Sequence, residues 1–353
     1  MHITRRDTIR SVMMAAMLAP LARPTSLLAA TSAADRAFIL ETVTPELRPF
    51  AARMLDGAGY PPIGPDNLAI ARKTPPPVSP IPVTVPVQKR IIPGSKGQPD
   101  VTIYILNAKP GQKRPALLHT HGGGFIIGSA EASIAELQKL CLALDCTAIT
   151  VEYRLAPETT YAGSLEDNYA GLKWLYDHAD EVGAEPARIA LVGESAGGGH
   201  AALLAIAARD RGEIPIAFQC LIYPMLDDRT GTSRPVARHQ GTLIWTPYSN
   251  RFGWKSFLGV EPGGSTAPKG AVPARLQNFK GLAPAFIGVG SIDLFFDEDV
   301  EYARRLGDAG VPVELLVLPG AFHGFDVLTP DSLIAKQFNE AKVLALKRGL
   351  GIS

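Results

Sequence analysis

Apolar residues recur along this chain in two alternating textures. Short runs rich in Val, Ile and Leu read as strands: Val85 to Ile92, Val101 to Leu106, Ala116 to Thr120, Thr147 to Tyr153, Ile189 to Val192, Ala217 to Tyr223, Ala285 to Val289 and Val313 to Leu318. Between them lie longer stretches with apolar residues at helical spacing: Ile134 to Leu144, Leu165 to His178, Gly198 to Arg211 and, at the end, about Ser332 to Lys347. Strands alternating with helices of ten or more residues predict βαβ units, hence an α/β fold with a mostly parallel central sheet and helices on both faces.

Two regions break the rhythm. Residues 31–82 combine helical patterning (Phe38-Ile39-Leu40 and Leu47 to Leu55) with the proline-rich stretch Thr74 to Pro82, an extended connector to the main domain at 83–353. Residues 226–284 separate two strands and carry Trp245, Phe252, Trp254 and Phe257. An insertion at the carboxyl end of a sheet lies over the site, so this segment and the N-terminal helices are expected to form a helical cap.

The first 30 residues read as a targeting segment. Arg5, Arg6 and Arg10 precede the apolar stretch Ser11 to Leu21, and small residues follow, as in a secretory signal with a twin-arginine-like start. Export to the periplasm or medium is the expectation; a retained N-terminal helix on a cytoplasmic protein is the alternative. No uninterrupted apolar run is long enough for a strong transmembrane helix, so no stable membrane span is expected. The net charge of +1 supplies no basic footprint for nucleic acid. Three cysteines, Cys141, Cys146 and Cys220, give no disulfide framework and read as buried thiols.

The chemistry centres on Gly193-Glu194-Ser195-Ala196-Gly197, placed between a predicted strand and a predicted helix. G-x-S-x-G in that context is the nucleophile elbow of α/β-hydrolases, a turn so tight that side chains two positions either side of the serine would collide. A serine hydroxyl needs a general base and a group to orient that base. Three histidines follow it. His200 lies in the next helix and His239 in the insertion, whereas His323 sits on a loop just beyond the last strand, correctly placed to reach Ser195. The orienting acid should fall between serine and histidine. Asp293, first after the strand Ala285 to Val289, is the first choice. Asp297 is the second, with Glu298 and Asp299 in the same helix start, where the dipole favours carboxylates.

Negative charge on a tetrahedral intermediate requires preorganised N–H donors. Consecutive glycines in His121-Gly122-Gly123-Gly124-Phe125 can turn backbone N–H groups toward one point, and the N–H of Ala196 supplies another donor. His119 and His121 could be read as a metal pair, but no matching acid or cysteine cluster accompanies them, so neither metal nor cofactor is expected. Phe125 and Trp245 are the candidate substrate-binding aromatics.

From about Val85 to Gly349 the chain resembles the hormone-sensitive-lipase-like family of esterases, which carries an H-G-G-G motif. The resemblance rests on His121-Gly122-Gly123-Gly124, Tyr153-Arg154-Leu155-Ala156-Pro157-Glu158, Leu165-Glu166-Asp167, Gly193 to Gly198, Tyr223-Pro224, Asp293 and His323-Gly324-Phe325, in that order. The stretch Thr159 to Ser164 departs from the family in lacking a proline. The resemblance implies an α/β-hydrolase fold with a cap, and metal-free hydrolysis of small-molecule carboxylic esters through an acyl-enzyme on Ser195. It also implies an oxyanion hole built from Gly123, Gly124 and Ala196. Short to medium acyl esters are the expected substrates. A lactonase, amide hydrolase or specialised deacylase on the same residues is the enzymatic alternative, and a ligand-binding relative without catalysis is the other.

Overall fold

The computed structural model describes residues 32–59, 61–73, 85–95 and 97–353. The expected signal segment, residues 1–30, and the proline-rich connector lie outside them. Eight strands form one sheet: β1 (Val87–Ile92), β2 (Val101–Leu106), β3 (Arg114–Thr120), β4 (Thr147–Glu152), β5 (Ala184–Glu194), β6 (Phe218–Ile222), β7 (Ala285–Gly290) and β8 (Val313–Leu318). Their order is β1-β2-β4-β3-β5-β6-β7-β8; β2 pairs antiparallel with β1 and β4, and every other pairing is parallel. This is the α/β-hydrolase sheet. The uniformly buried strands are interior ones: every residue of β3, β6 and β7 is buried, because helices cover both faces there.

The strand order positions the site. After β3 the chain turns to one side to form β4, then returns past β3 to form β5 on the other. Connections diverge at this point, and a crevice opens beyond the carboxyl ends of β3 and β5, the usual place for a ligand in an open α/β sheet. The glycine loop leaves β3 into that crevice and Ser195 leaves β5 into it.

Strand β5 is longer than its apolar run. Pro186 and Arg188 interrupt the alternation, yet Ala184 still pairs with Arg114 while Ile189 pairs with Ala116. The irregularity absorbs the extra residues, which is why pattern alone finds only the second half. In the insertion, the helix Pro247–Leu258 starts with Thr246 capping the Ser249 N–H and ends at Gly259 in the left-handed conformation. The N-terminal segment divides in two. The helices Ala33–Thr42 and Arg48–Arg53 lean on the loop after β8, with Phe50 stacked on Phe322 at 5.5 Å. The helix Leu68–Lys73 instead reaches the glycine loop, where Arg72 donates to the carbonyls of Ile126 and Ala156, each at 2.8 Å. No helix among the described residues is long and apolar enough to cross a membrane.

Candidate active site

Ser195 occupies a backbone conformation that side chains rarely adopt, φ 56° and ψ −124°. Its surroundings hold it there: the Ser195 N–H donates to the Ile222 carbonyl at 2.9 Å, and the Ser195 carbonyl accepts from Met225 at 2.9 Å and Gly199 at 3.0 Å. The flanking glycines are steric necessities. A Cβ on Gly193 would lie 2.3 Å from the Gly197 carbonyl oxygen, and one on Gly197 would lie 2.0 Å from that of Thr120. Strain of this kind persists only where the neighbouring structure over-determines it.

The Ser195 hydroxyl lies 2.9 Å from His323 Nε2, and His323 Nδ1 lies 2.8 Å from Asp293 Oδ2. All three residues are buried. The other Asp293 oxygen accepts the Phe295 N–H at 3.0 Å, so its carboxylate is fixed at both ends. Asp297, the alternative acid, is exposed in the first turn of the helix Phe296–Asp308. The structure therefore brings Asp293, and not Asp297, to His323. His200 does not approach the serine. It is sealed among Phe125, Tyr153 and Phe257, while His239 lies beside Phe38.

The glycine loop lies against the elbow: a Cβ on Gly122 would be 3.5 Å from that of Ser195. Gly123 and Gly124 have φ of 124° and 59°. Among the described residues, no backbone carbonyl accepts the N–H of either. Ala196 is the first residue of the helix Ala196–Arg211, so its N–H has no intrahelical acceptor. The glycine loop thus passes beside Ser195, and Ala196 adjoins it in the chain.

Several motif residues build the loop instead of touching the crevice. Tyr153 donates to the His121 carbonyl at 2.6 Å and stacks on its imidazole at 4.1 Å. Arg154 clamps Asp167 with two nitrogens, which joins the Y-R-L-A-P-E and L-E-D segments. His119 is no partner of His121. Its ring bridges Thr150 at 2.8 Å and Glu194 at 2.9 Å. Burial opposes ionisation of Glu194, but the facing His119 and Lys342 more than offset it and hold its carboxyl below the usual range.

The two aromatics differ. The Phe125 ring is 1% exposed and stacks on Phe257 at 3.9 Å with Trp254 at its edge. The expectation that Phe125 lines a substrate pocket is corrected accordingly. Its φ of 68° turns the ring down into the core, where it anchors the glycine loop to the insertion. Trp245 lies over that loop: a Cβ on Gly124 would fall 2.0 Å from the indole Cη2. Its Nε1 donates to Asn250 at 3.2 Å, which fixes the ring plane.

Burial pushes the pKa of His121 down to about 4 and that of His200 to about 3, from 6.5. Both are neutral in the folded state at mild acidity, whereas the unfolded chain takes up protons below about pH 6.5. Each histidine should therefore cost the fold about 1.4 kcal/mol per pH unit as pH falls from its unfolded pKa toward its folded one. Thermal unfolding followed between roughly pH 6 and 4.5 should show a shallower loss of Tm in His200→Leu than in the wild type. Parallel curves would contradict the assignment.

A model of the alpha/beta hydrolase fold family matches residues 117–327. Esterase LipI of Mycobacterium tuberculosis is 34% identical over 236 residues, covering 66% of this chain and 73% of the relative. Carboxylesterase NlhH of the same organism is 30% identical over 318 residues, covering 87% and 97%. Among solved structures, a bacterial heroin esterase superposes with a TM-score of 0.77 at 34% identity, covering 88% of this chain and 99% of its own. The elbow, the glycine loop and these likenesses agree: the chain belongs to the hormone-sensitive-lipase-like esterases of the alpha/beta hydrolase fold family, and it is a carboxylic ester hydrolase.

Proposed function

We propose that this enzyme hydrolyses short to medium acyl esters through an acyl-enzyme on Ser195. The observation that carries this reading is the unbroken contact from Ser195 through His323 to Asp293 at an elbow. Neutral His323 accepts the Ser195 proton at Nε2 as Oγ attacks the ester carbonyl. Asp293 holds the Nδ1–H and faces the positive imidazolium that results. The carbonyl oxygen, now negative, is received by the N–H groups of Gly123, Gly124 and Ala196. Collapse breaks the bond to the alcohol, whose oxygen takes the proton from His323. Water then repeats the sequence on the acyl-enzyme and releases the carboxylic acid. A series of activated esters, a lactone and an anilide compared at equal enzyme concentration tests the substrate class. Faster turnover of the lactone or anilide than of any ester would favour the alternatives.

The acyl-length proposal rests on Trp245. Its ring tip lies against Gly124, and the hydrogen bond to Asn250 prevents it from swinging aside. A rigid aromatic wall beside the oxyanion donors limits the depth available to the acyl chain. Trp245→Ala should raise the ratio of kcat/KM for a decanoyl over a butyryl ester by about tenfold or more, given roughly 0.8 kcal/mol for each methylene newly accommodated. A ratio is insensitive to the fraction folded, so an unchanged ratio would remove Trp245 from the acyl pocket.

A further inference from the structure

The imidazole of His323 has two aromatic neighbours beyond its partners. Phe295 stands edge-on at 5.2 Å, and Tyr223 meets it edge to face at 4.7 Å with 63° between the planes. Tyr223 is the first residue after β6. Its φ of 34° is strained for a residue with a side chain, and its N–H donates to the Gly288 carbonyl at 2.7 Å. This places the phenol hydroxyl 2.8 Å from Asp326 Oδ1, inside the protein. Asp326 follows His323 by three residues, in the single-turn helix Phe325–Leu328, and Phe338 stacks behind Tyr223. One side chain thus touches the imidazole and also grips the segment that carries it.

We propose that Tyr223 is a positioning residue. Through its ring and its hydrogen bond to Asp326 it holds the His323 ring in line between Ser195 and Asp293. This rests on the catalytic roles proposed above. The Asp293 bond fixes one atom of the imidazole and leaves the ring free to pivot about it. Nε2 must address Ser195 when it takes the proton and the leaving alcohol when it returns it, so a pivot of a few tenths of an ångström costs rate without weakening substrate binding. Burial keeps the phenol protonated far above its ordinary pKa, so it remains a donor. Burial also pushes the Asp326 carboxyl up, and Lys342, 4.0 Å away, works against that together with the Tyr223 hydroxyl.

The test is a double-mutant cycle of Tyr223→Phe and Asp326→Ala, with active sites counted by stoichiometric labelling of Ser195 with an activated phosphonate. Tyr223→Phe keeps the ring and deletes only the hydroxyl. Each single variant should lose about five- to twentyfold in kcat per labelled site, with KM within twofold of wild type. The double variant should be no slower than the slower single, because both remove the same bond. A purely structural role would lower the number of labelled sites or Tm and leave kcat per site unchanged, and that result overturns the proposal. So do losses that multiply in the double variant. Should Tyr223→Phe fail to fold, Asp326→Ala alone gives the kcat and KM split on which the proposal stands or falls. A wild type that the phosphonate does not label at Ser195 overturns the catalytic roles themselves. A labelled wild type with undiminished variants overturns only the role of Tyr223.

Discussion

Ser195→Ala should reduce kcat for ester hydrolysis on the order of 10⁶-fold, as removal of the nucleophile does in another serine hydrolase. The effect is large because the remaining machinery has nothing to act on. The N–H groups of Gly123, Gly124 and Ala196, in the role proposed for them, would stabilise an oxyanion that forms only after attack, and His323 would have no hydroxyl to deprotonate. Stability should barely change. Among the described residues the Ser195 Oγ makes one hydrogen bond, to His323, and alanine occupies the same strained backbone position at no greater steric cost. The measurement is kcat on a p-nitrophenyl butyrate assay beside a thermal melt. A folded Ser195→Ala protein that retains turnover within tenfold of wild type would end the acyl-enzyme reading.

Asp293→Asn should reduce kcat by about 10³–10⁴-fold. The Asn Oδ1 can still accept the Phe295 N–H, so the loop after β7 keeps its shape. The amide nitrogen would then face His323 Nδ1 and favour the tautomer whose proton sits on Nε2, where the Ser195 proton must go. Asp297→Asn should cost less than about threefold, since that carboxylate is exposed and serves only the start of a helix. Both variants require the same assay, and the reverse ranking would transfer the role to Asp297.

The sheet and the centre of the site are legible in the chain because close packing leaves signatures there. Gly193 and Gly197 cannot be replaced where backbone passes within van der Waals contact, and the apolar runs mark strands buried on two faces. The departures have equally specific causes. Phe125 reads as a pocket wall because it adjoins the glycine loop, but a positive φ reverses the direction of its side chain, and no spacing rule reports φ at a non-glycine residue. Half of β5 is hidden by Pro186 and Arg188 at an irregular pairing. Tyr223 is visible as part of a motif, yet its link to Asp326 spans 103 residues. His119 and Glu194 are 75 residues apart and meet only because β3 and β5 are neighbours.

The parallel strand order also constrains when activity can arise. Ser195 and His323 are separated by 128 residues, and they leave β5 and β8, between which β6 and β7 must be inserted. Contacts of such long range are slow to form because loop closure precedes the gain from pairing. On the roles proposed for them, the nucleophile is in place once the chain has folded through β5, but the base arrives only when the last strand docks. During refolding from denaturant, esterase activity should accordingly be among the last signals to recover, lagging behind amide protection in β3 and β5. Ester cleavage would thereby report the moment at which β8, and the loop after it that carries His323, docks against β7.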